Sequence, residues 1–214
     1  MKEKMIIKVC GMRDAHNIRE VEALGVDWIG MIFYPRSPRY VSTVPADGRV
    51  RRAKRVAVFV DAPLVDICKT VRDFAFNLVQ LHGKESPQLC RNLREALPGV
   101  KIVKAFSVKD ADSLLEVAQY EGLADYYLFD THCGDARGGS GRTFDHAILQ
   151  GYTGSTPFLL SGGLSPDNAG EVKFFSHPML AGYDLNSCFE TAPALKDPTL
   201  IRQFLEKIKE IQQS

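Results

Sequence analysis

Eight short apolar runs, most of them separated by helix-period patterns, constrain the fold of this chain more than any other feature. They are "MIIKV" (5–9), "WIGMIF" (28–33), "RVAVFV" (55–60), "LVQL" (78–81), "KIVKA" (101–105), "YYLF" (126–129), "PFLLS" (157–161) and "MLAG" (179–182). Several are apolar throughout, as strands covered on both faces must be. The segments between them carry helix signals. "SPQL" from 86, "SPDN" from 165 and "DPTL" from 197 each join a capping Ser or Asp to a proline suited to the first helical turn. "TLIRQFLEKIKEI" sets Leu200, Ile201, Phe204, Leu205, Ile208 and Ile211 on one stripe. Ile18, Val21 and Leu24 make a weaker stripe that Gly25 ends. The second and seventh units are the weak ones, since "VPADGRVRRAKR" contains Gly48 and "NAGEVKFF" is brief. Eight alternations in 214 residues predict an α/β fold, a single (β/α)8 or TIM barrel near the small end of its range. An open doubly wound sheet would want GxGxxG after the first strand, and "CGMRDA" does not supply it. No linker-like segment divides the chain, so residues 1–214 read as one domain.

Charge and cysteine content exclude several function classes. Lys plus Arg is 27 against 26 Asp plus Glu, so no global field favours nucleic acid or an anionic membrane. The densest basic run, "RVRRAKR" (49–55), reads as a solvated helix face leading into a strand. The apolar stretch near the N-terminus is interrupted by Lys8 and too short for a signal sequence, and no run approaches a membrane span. Five cysteines, at 10, 68, 90, 133 and 188, are odd in number and share no CxxC spacing. A reducing, cytoplasmic setting is expected rather than a disulfide framework. Cys68 and Cys90 fall within helical patterns and read as core filler. No Cys or His pair has finger-like spacing, and the adjacent His132 and Cys133 aim apart, so no metal site is expected.

In such a barrel the C-terminal ends of the strands form the mouth where chemistry resides. Cys10 ends the first strand, Tyr34 to Arg39 follow the second and Asp61 the third. His82, Phe106–Ser107 and Asp130 follow the fourth, fifth and sixth, while Gly162–Gly163 and Tyr183–Cys188 follow the last two. The glycine pair of "LSGGLSPDNAGEV" lets backbone N–H groups approach an anion, and with "GYDLNSCFE" it matches the usual phosphate pocket of barrels. "THCGDARGGSGRTF" reads as a glycine-rich cover carrying Arg137 and Arg142. In "YPRSPRY", Arg36 and Arg39 offer a guanidinium fork to a planar carboxylate. Cys10 and Asp130 form the most informative pair. A neighbouring cation would raise the thiolate fraction of Cys10, and a partly dry mouth would keep Asp130 an acid. One base and one acid on opposite sides of a phosphosugar suffice for an isomerisation.

These residues resemble the phosphoribosylanthranilate isomerase family of tryptophan biosynthesis over nearly the whole chain. The resemblance is carried by "KVCGMRD", "GMIFYPRSPRYV", "VAVFVDAP", "VQLHGKE", "FDTHCGDARGGSGRTFDH", "FLLSGGLSPDN" and "DLNSCFETAPALKD", in that order. It implies a cofactor-free Amadori rearrangement of N-(5-phosphoribosyl)anthranilate to 1-(2-carboxyphenylamino)-1-deoxyribulose 5-phosphate. It further implies Cys10 as general base, Asp130 as general acid, and Arg39 at the anthranilate carboxylate. Gly162, Gly163 and the Asn186–Ser187–Cys188 turn would hold phosphate, with Asp184 at the ribosyl end. The implied partner is a small phosphosugar, the protein being a monomer or a homodimer. Cys188 stands where the family commonly has glycine, which strains the chain if that position needs a left-handed backbone. The region 44–54 also departs from the family pattern. Two other readings stand beside the isomerase. A histidine-pathway barrel would carry a carboxylate at position 10, and a non-catalytic phosphosugar binder would not need both Cys10 and Asp130.

Overall fold

The apolar runs become strands, each within a few residues of its sequence boundary. The computed structural model describes residues 4–45, 52–131, 146–172 and 174–209. Strands β1 (Ile6–Val9), β2 (Trp28–Ile32), β3 (Lys54–Phe59), β4 (Leu78–Leu81), β5 (Lys101–Ser107), β6 (Tyr126–Asp130), β7 (Phe158–Ser161) and β8 (Leu180–Leu185) pair in that order, and β8 closes on β1. Every pairing is parallel. The fold is therefore a closed (β/α)8 barrel. Alternation along each strand sorts the side chains into two sets. Cys10, Trp28, Val56, Val58, Leu78, Val103, Leu128 and Leu159 fill the interior. Residues of opposite parity, such as Val9, Ile29, Phe59, Val79 and Phe129, pack outward against the helices.

Helices α1 (Ala15–Ala23), α2 (Leu64–Phe74), α3 (Pro87–Ala96), α4 (Ser113–Val117), α5 (Ala169–Val172) and α6 (Pro198–Lys209) form the outer layer. In α1 the Asp14 carboxylate caps Asn17 N–H at 2.8 Å, and in α3 the Ser86 hydroxyl caps Leu89 N–H at 3.3 Å. Proline follows the cap in α3 and opens α6, where Asp197 accepts from Thr199 N–H at 2.8 Å. The α6 stripe buries Ile201, Phe204, Leu205 and Ile208, each contributing about 1.5–3 kcal/mol. Ile211 lies outside the described residues. Ser165 differs from expectation: its hydroxyl accepts from Asn168 N–H, forming a turn, and α5 begins only at Ala169. No helix occurs among the described residues 33–45 and 52–53, and α5 is brief, so the second and seventh units are the irregular ones. The basic run splits accordingly, with Arg49–Arg51 outside the described residues and Lys54–Arg55 opening β3. A two-stranded antiparallel ribbon, β9 (Glu190–Ala192) and β10 (Leu195–Lys196), follows β8 and returns Lys196 to the mouth.

Candidate active site

The order of strands sets the order of chemistry around the rim. Asp130 closes β6, the glycine pair follows β7, Asp184 and Asn186 lie at the end of β8, and Cys10 follows β1. These come from four successive neighbours in the barrel wall. Cys10 and Asp130 share the inward parity of Leu128 and Val56, so both project into the one interior.

Cys10 is buried, at 3% exposure, with its N–H donating to Leu185 O at 2.9 Å. Its room comes from Gly30 on β2, where a Cβ would lie 2.8 Å from Cys10 Sγ. Two positions back on the same face sits Lys8, wholly buried, its Nζ 2.8 Å from Asp184 Oδ1. The Lys8 ammonium also acts electrostatically on the Cys10 thiol. Burial pushes the Cys10 thiol up, and the opposing pull of Lys8 and Lys196 does not overcome it. The expected lowering by cations is present but outweighed. Burial also draws the Lys8 ammonium down, yet Asp184 and Cys10 reverse this and leave it raised.

Arg39 reaches the same region from the loop after β2. Its Nε donates to Glu190 Oε1 and Oε2 at 2.9 and 3.0 Å, and Nη2 to Oε2 at 2.7 Å. Glu190 also takes a hydrogen bond from Lys196 Nζ, which further donates to Asn186 Oδ1 at 2.8 Å. Burial pushes Glu190 up, but the Arg39 and Lys196 contacts win and hold its carboxyl below the usual range. Lys196 is shifted down, chiefly by burial. Lys8, Lys196 and Glu190 were not singled out from sequence. Period-two alternation back from Cys10 was the signal for Lys8, which had been noted only as a break in an apolar run. Arg36 is exposed, whereas Arg39 points inward; Arg137, Arg142, His132 and Cys133 lie outside the described residues.

The rim after β7 and β8 presents backbone. Gly162 and Gly163 have φ of 87° and 65°. Their carbonyls are tied back, Gly162 O by Thr131 Oγ1 at 3.4 Å and Gly163 O by Asn168 Nδ2 at 2.7 Å. Among the described residues their N–H groups meet no protein acceptor, nor do those of Ser187 and Cys188. Cys188 lies in a short 3-10 turn, Ser187–Phe189, and is absent from the residues of positive φ, so replacing glycine there strains nothing. Asp61 takes a different part from its neighbours at the mouth. Its Oδ1 accepts Lys84 N–H at 2.7 Å and its own N–H donates to Glu85, stapling two loops together. His82 Nε2 stands 3.7 Å from Asp130 Oδ2. Among the described residues no cluster of three His, Cys, Asp or Glu side chains is arranged to hold a metal ion, and no helix is long and apolar enough to cross a membrane.

A parallel eight-stranded barrel with anion-ready backbone beside an inward thiol and carboxylate defines the class of phosphosugar-handling barrel enzymes. The model of the N-(5'-phosphoribosyl)anthranilate (PRA) isomerase family matches residues 7–207. The N-(5'-phosphoribosyl)anthranilate isomerase of Phocaeicola vulgatus is 47% identical over 206 residues, covering 96% of this chain and 98% of its own. Crystallised phosphoribosyl anthranilate isomerase from Thermotoga maritima superposes with a TM-score of 0.83 at 30% identity, covering 97% of this chain and 100% of its own. A family structure in complex with reduced 1-(o-carboxyphenylamino)-1-deoxyribulose 5-phosphate superposes with a TM-score of 0.77 at 26% identity, covering 97% of this chain and 100% of its own. This chain belongs to the phosphoribosylanthranilate isomerase family, and its activity is that aldose–ketose isomerisation in tryptophan biosynthesis.

Proposed function

We propose that the chain, acting as one barrel domain, isomerises N-(5'-phosphoribosyl)anthranilate with Cys10 as base and Asp130 as acid. Asp130 gives its proton to the furanose ring oxygen as the C1–O bond breaks, leaving an iminium at C1. Cys10 thiolate then takes the proton from C2, and the electron pair of that bond moves into the C1–C2 bond. The resulting enolamine relaxes to the ketone. The iminium is the electron sink, so the chemistry asks nothing of a cofactor. Gly162, Gly163, Ser187 and Cys188 N–H groups bind the phosphate, with Asn186 shaping their turn. That contact lies far from C2 and holds the sugar at reacting distance. Arg39 meets the anthranilate carboxylate through the edge that Glu190 leaves open, and Asp184 sits at the ribosyl end. The observation that carries the reading is that Cys10 and Asp130 open by strand parity into one barrel interior, with the buried Lys8 ammonium two residues from Cys10 on the same face to counter a thiolate where water is excluded.

The test uses the fluorescence of the anthranilate substrate, which decays when the purified chain is added alone. Cys10→Ala and Asp130→Ala are each expected to lose about 10²–10⁴-fold in kcat while keeping the fold and phosphate affinity. Near-normal turnover in either variant refutes the role assigned to that residue.

A further inference from the structure

Gln80 lies in the middle of β4, 1% exposed and inward by parity with Leu78. Its register neighbours are Val58 on β3 and Val103 on β5, both in the apolar interior. An amide is out of place there unless its partners are complete, and they are not. Nε2 lies 2.7 Å from His82 Nδ1, but among the described residues Oε1 is buried without a hydrogen-bond partner. A purely structural position would be better served by leucine. Among the described residues the amide's hydrogen-bond partner is the imidazole whose other nitrogen faces Asp130 at 3.7 Å.

We propose that Gln80 and His82 are positioning residues that set the protonation of Asp130, an inference that rests on Asp130 being the acid. With the amide nitrogen donating, His82 Nδ1 is an acceptor and the ring hydrogen sits on Nε2, directed at the Asp130 carboxyl. An imidazolium beside Asp130 would hold it as carboxylate and remove the proton needed for ring opening. A neutral Nε2–H leaves that proton in place, then donates to the carboxylate as it forms. His82 keeps its own hydrogen throughout. The charged groups around His82 from the packed elements, among the described residues, are Asp130 from β6, Lys104 from β5, Asp61 after β3, and Lys84 and Glu85 in its own loop. Lys104 is committed to Leu81 O, Gly83 O and Glu85, and Asp61 to Lys84 N–H, so Asp130 is the group His82 acts upon.

Nitrogen-15 NMR of the imidazole in the full wild-type chain reads the tautomer directly, and His82 is expected as the Nε2–H form across neutral pH. Gln80→Leu is expected to melt no lower than wild type, lose that tautomer preference, and drop kcat about tenfold with KM little changed. His82 carrying its hydrogen on Nδ1 in the wild type overturns the inference however Asp130→Ala behaves, and needs no variant to fold. Loss of turnover in Asp130→Ala, with kcat unchanged in Gln80→Leu, overturns it while leaving the acid in place.

Discussion

Lys8→Met is the sharpest perturbation of this barrel. Lys8 and Asp184 are register neighbours on β1 and β8, with side-chain exposures of 0% and 4% and a separation of 2.8 Å. Removing the ammonium leaves a buried carboxylate without its counter-charge, a change that costs about 3–5 kcal/mol. At a urea m-value of about 3 kcal/mol/M, the unfolding midpoint falls by about 1–1.7 M. Replacing both partners, as Lys8→Met with Asp184→Leu, removes the stranded charge and is expected to recover most of that loss. Trp28, the single tryptophan, reports the transition, because it is buried in the barrel beside Tyr126 at a ring separation of 5.0 Å. The sign with pH is fixed by the raised pKa of Lys8. Its contribution is complete below the unfolded value of about 10.4 and is lost as pH rises through the higher folded value. A double variant no more stable than Lys8→Met, or a Lys8→Met midpoint within about 0.3 M of wild type, refutes the reasoning.

Two further outcomes are expected. Glu190→Gln removes the carboxylate that grips Arg39 and Lys196, so KM should rise about tenfold with a smaller change in kcat, and steady-state kinetics giving the reverse split would contradict it. Because burial sets the Cys10 thiol above its ordinary value of about 8.5, the free enzyme is mostly protonated at neutral pH. Its kcat/KM should climb about tenfold per pH unit from 6.5 to 8.5, and a profile flat over that interval would exclude Cys10 as the titrating base.

Strand positions were legible because a barrel strand is covered on both faces and has to be apolar along its length. The ends of those strands named Cys10 and Asp130 for the same reason, since chemistry begins where the run stops. The loops were less legible. The strand expected at 179–182 runs on to Leu185, because Tyr183 and Leu185 pack outward while Asp184 finds Lys8 inside. Lys8 and Gln80 were invisible as interior groups, since an isolated lysine or glutamine in a run reads as a solvent-facing position until its partner is known. For two of the buried lysines the partner lies far off in sequence: Asp184 for Lys8, and for Lys196 the side chain of Asn17, which accepts its backbone N–H at 2.7 Å. Pairings across such separations leave no periodic trace. The glycine at position 30 was likewise read only as part of a strand, although it is what makes space for the thiol.

The charges around Cys10 bear on how a thiol raised by burial would serve as the proposed base. Lys8, Lys196 and Arg39 all act on its sulfur, while Asp184 and Glu190 supply the carboxylates among them. Three cations thus face two buried carboxylates, and the cluster is one negative charge short of balance. Ionising Cys10 supplies that charge. The field therefore favours the thiolate even though exclusion of water opposes it, and the two effects act on the same group from opposite directions. Glu190 decides the share that reaches the sulfur. It engages Arg39 and Lys196 together, so those two are partly neutralised, and Lys8 remains the cation with the largest pull on Cys10. In the proposed reaction an anthranilate carboxylate arriving at Arg39 would draw on that guanidinium and leave the Lys8 charge facing Cys10. On that proposal the substrate's negative charge would be received at one end of the cluster while the base would keep its counter-ion at the other, which is the separation an anionic substrate and an anionic base require within one cavity.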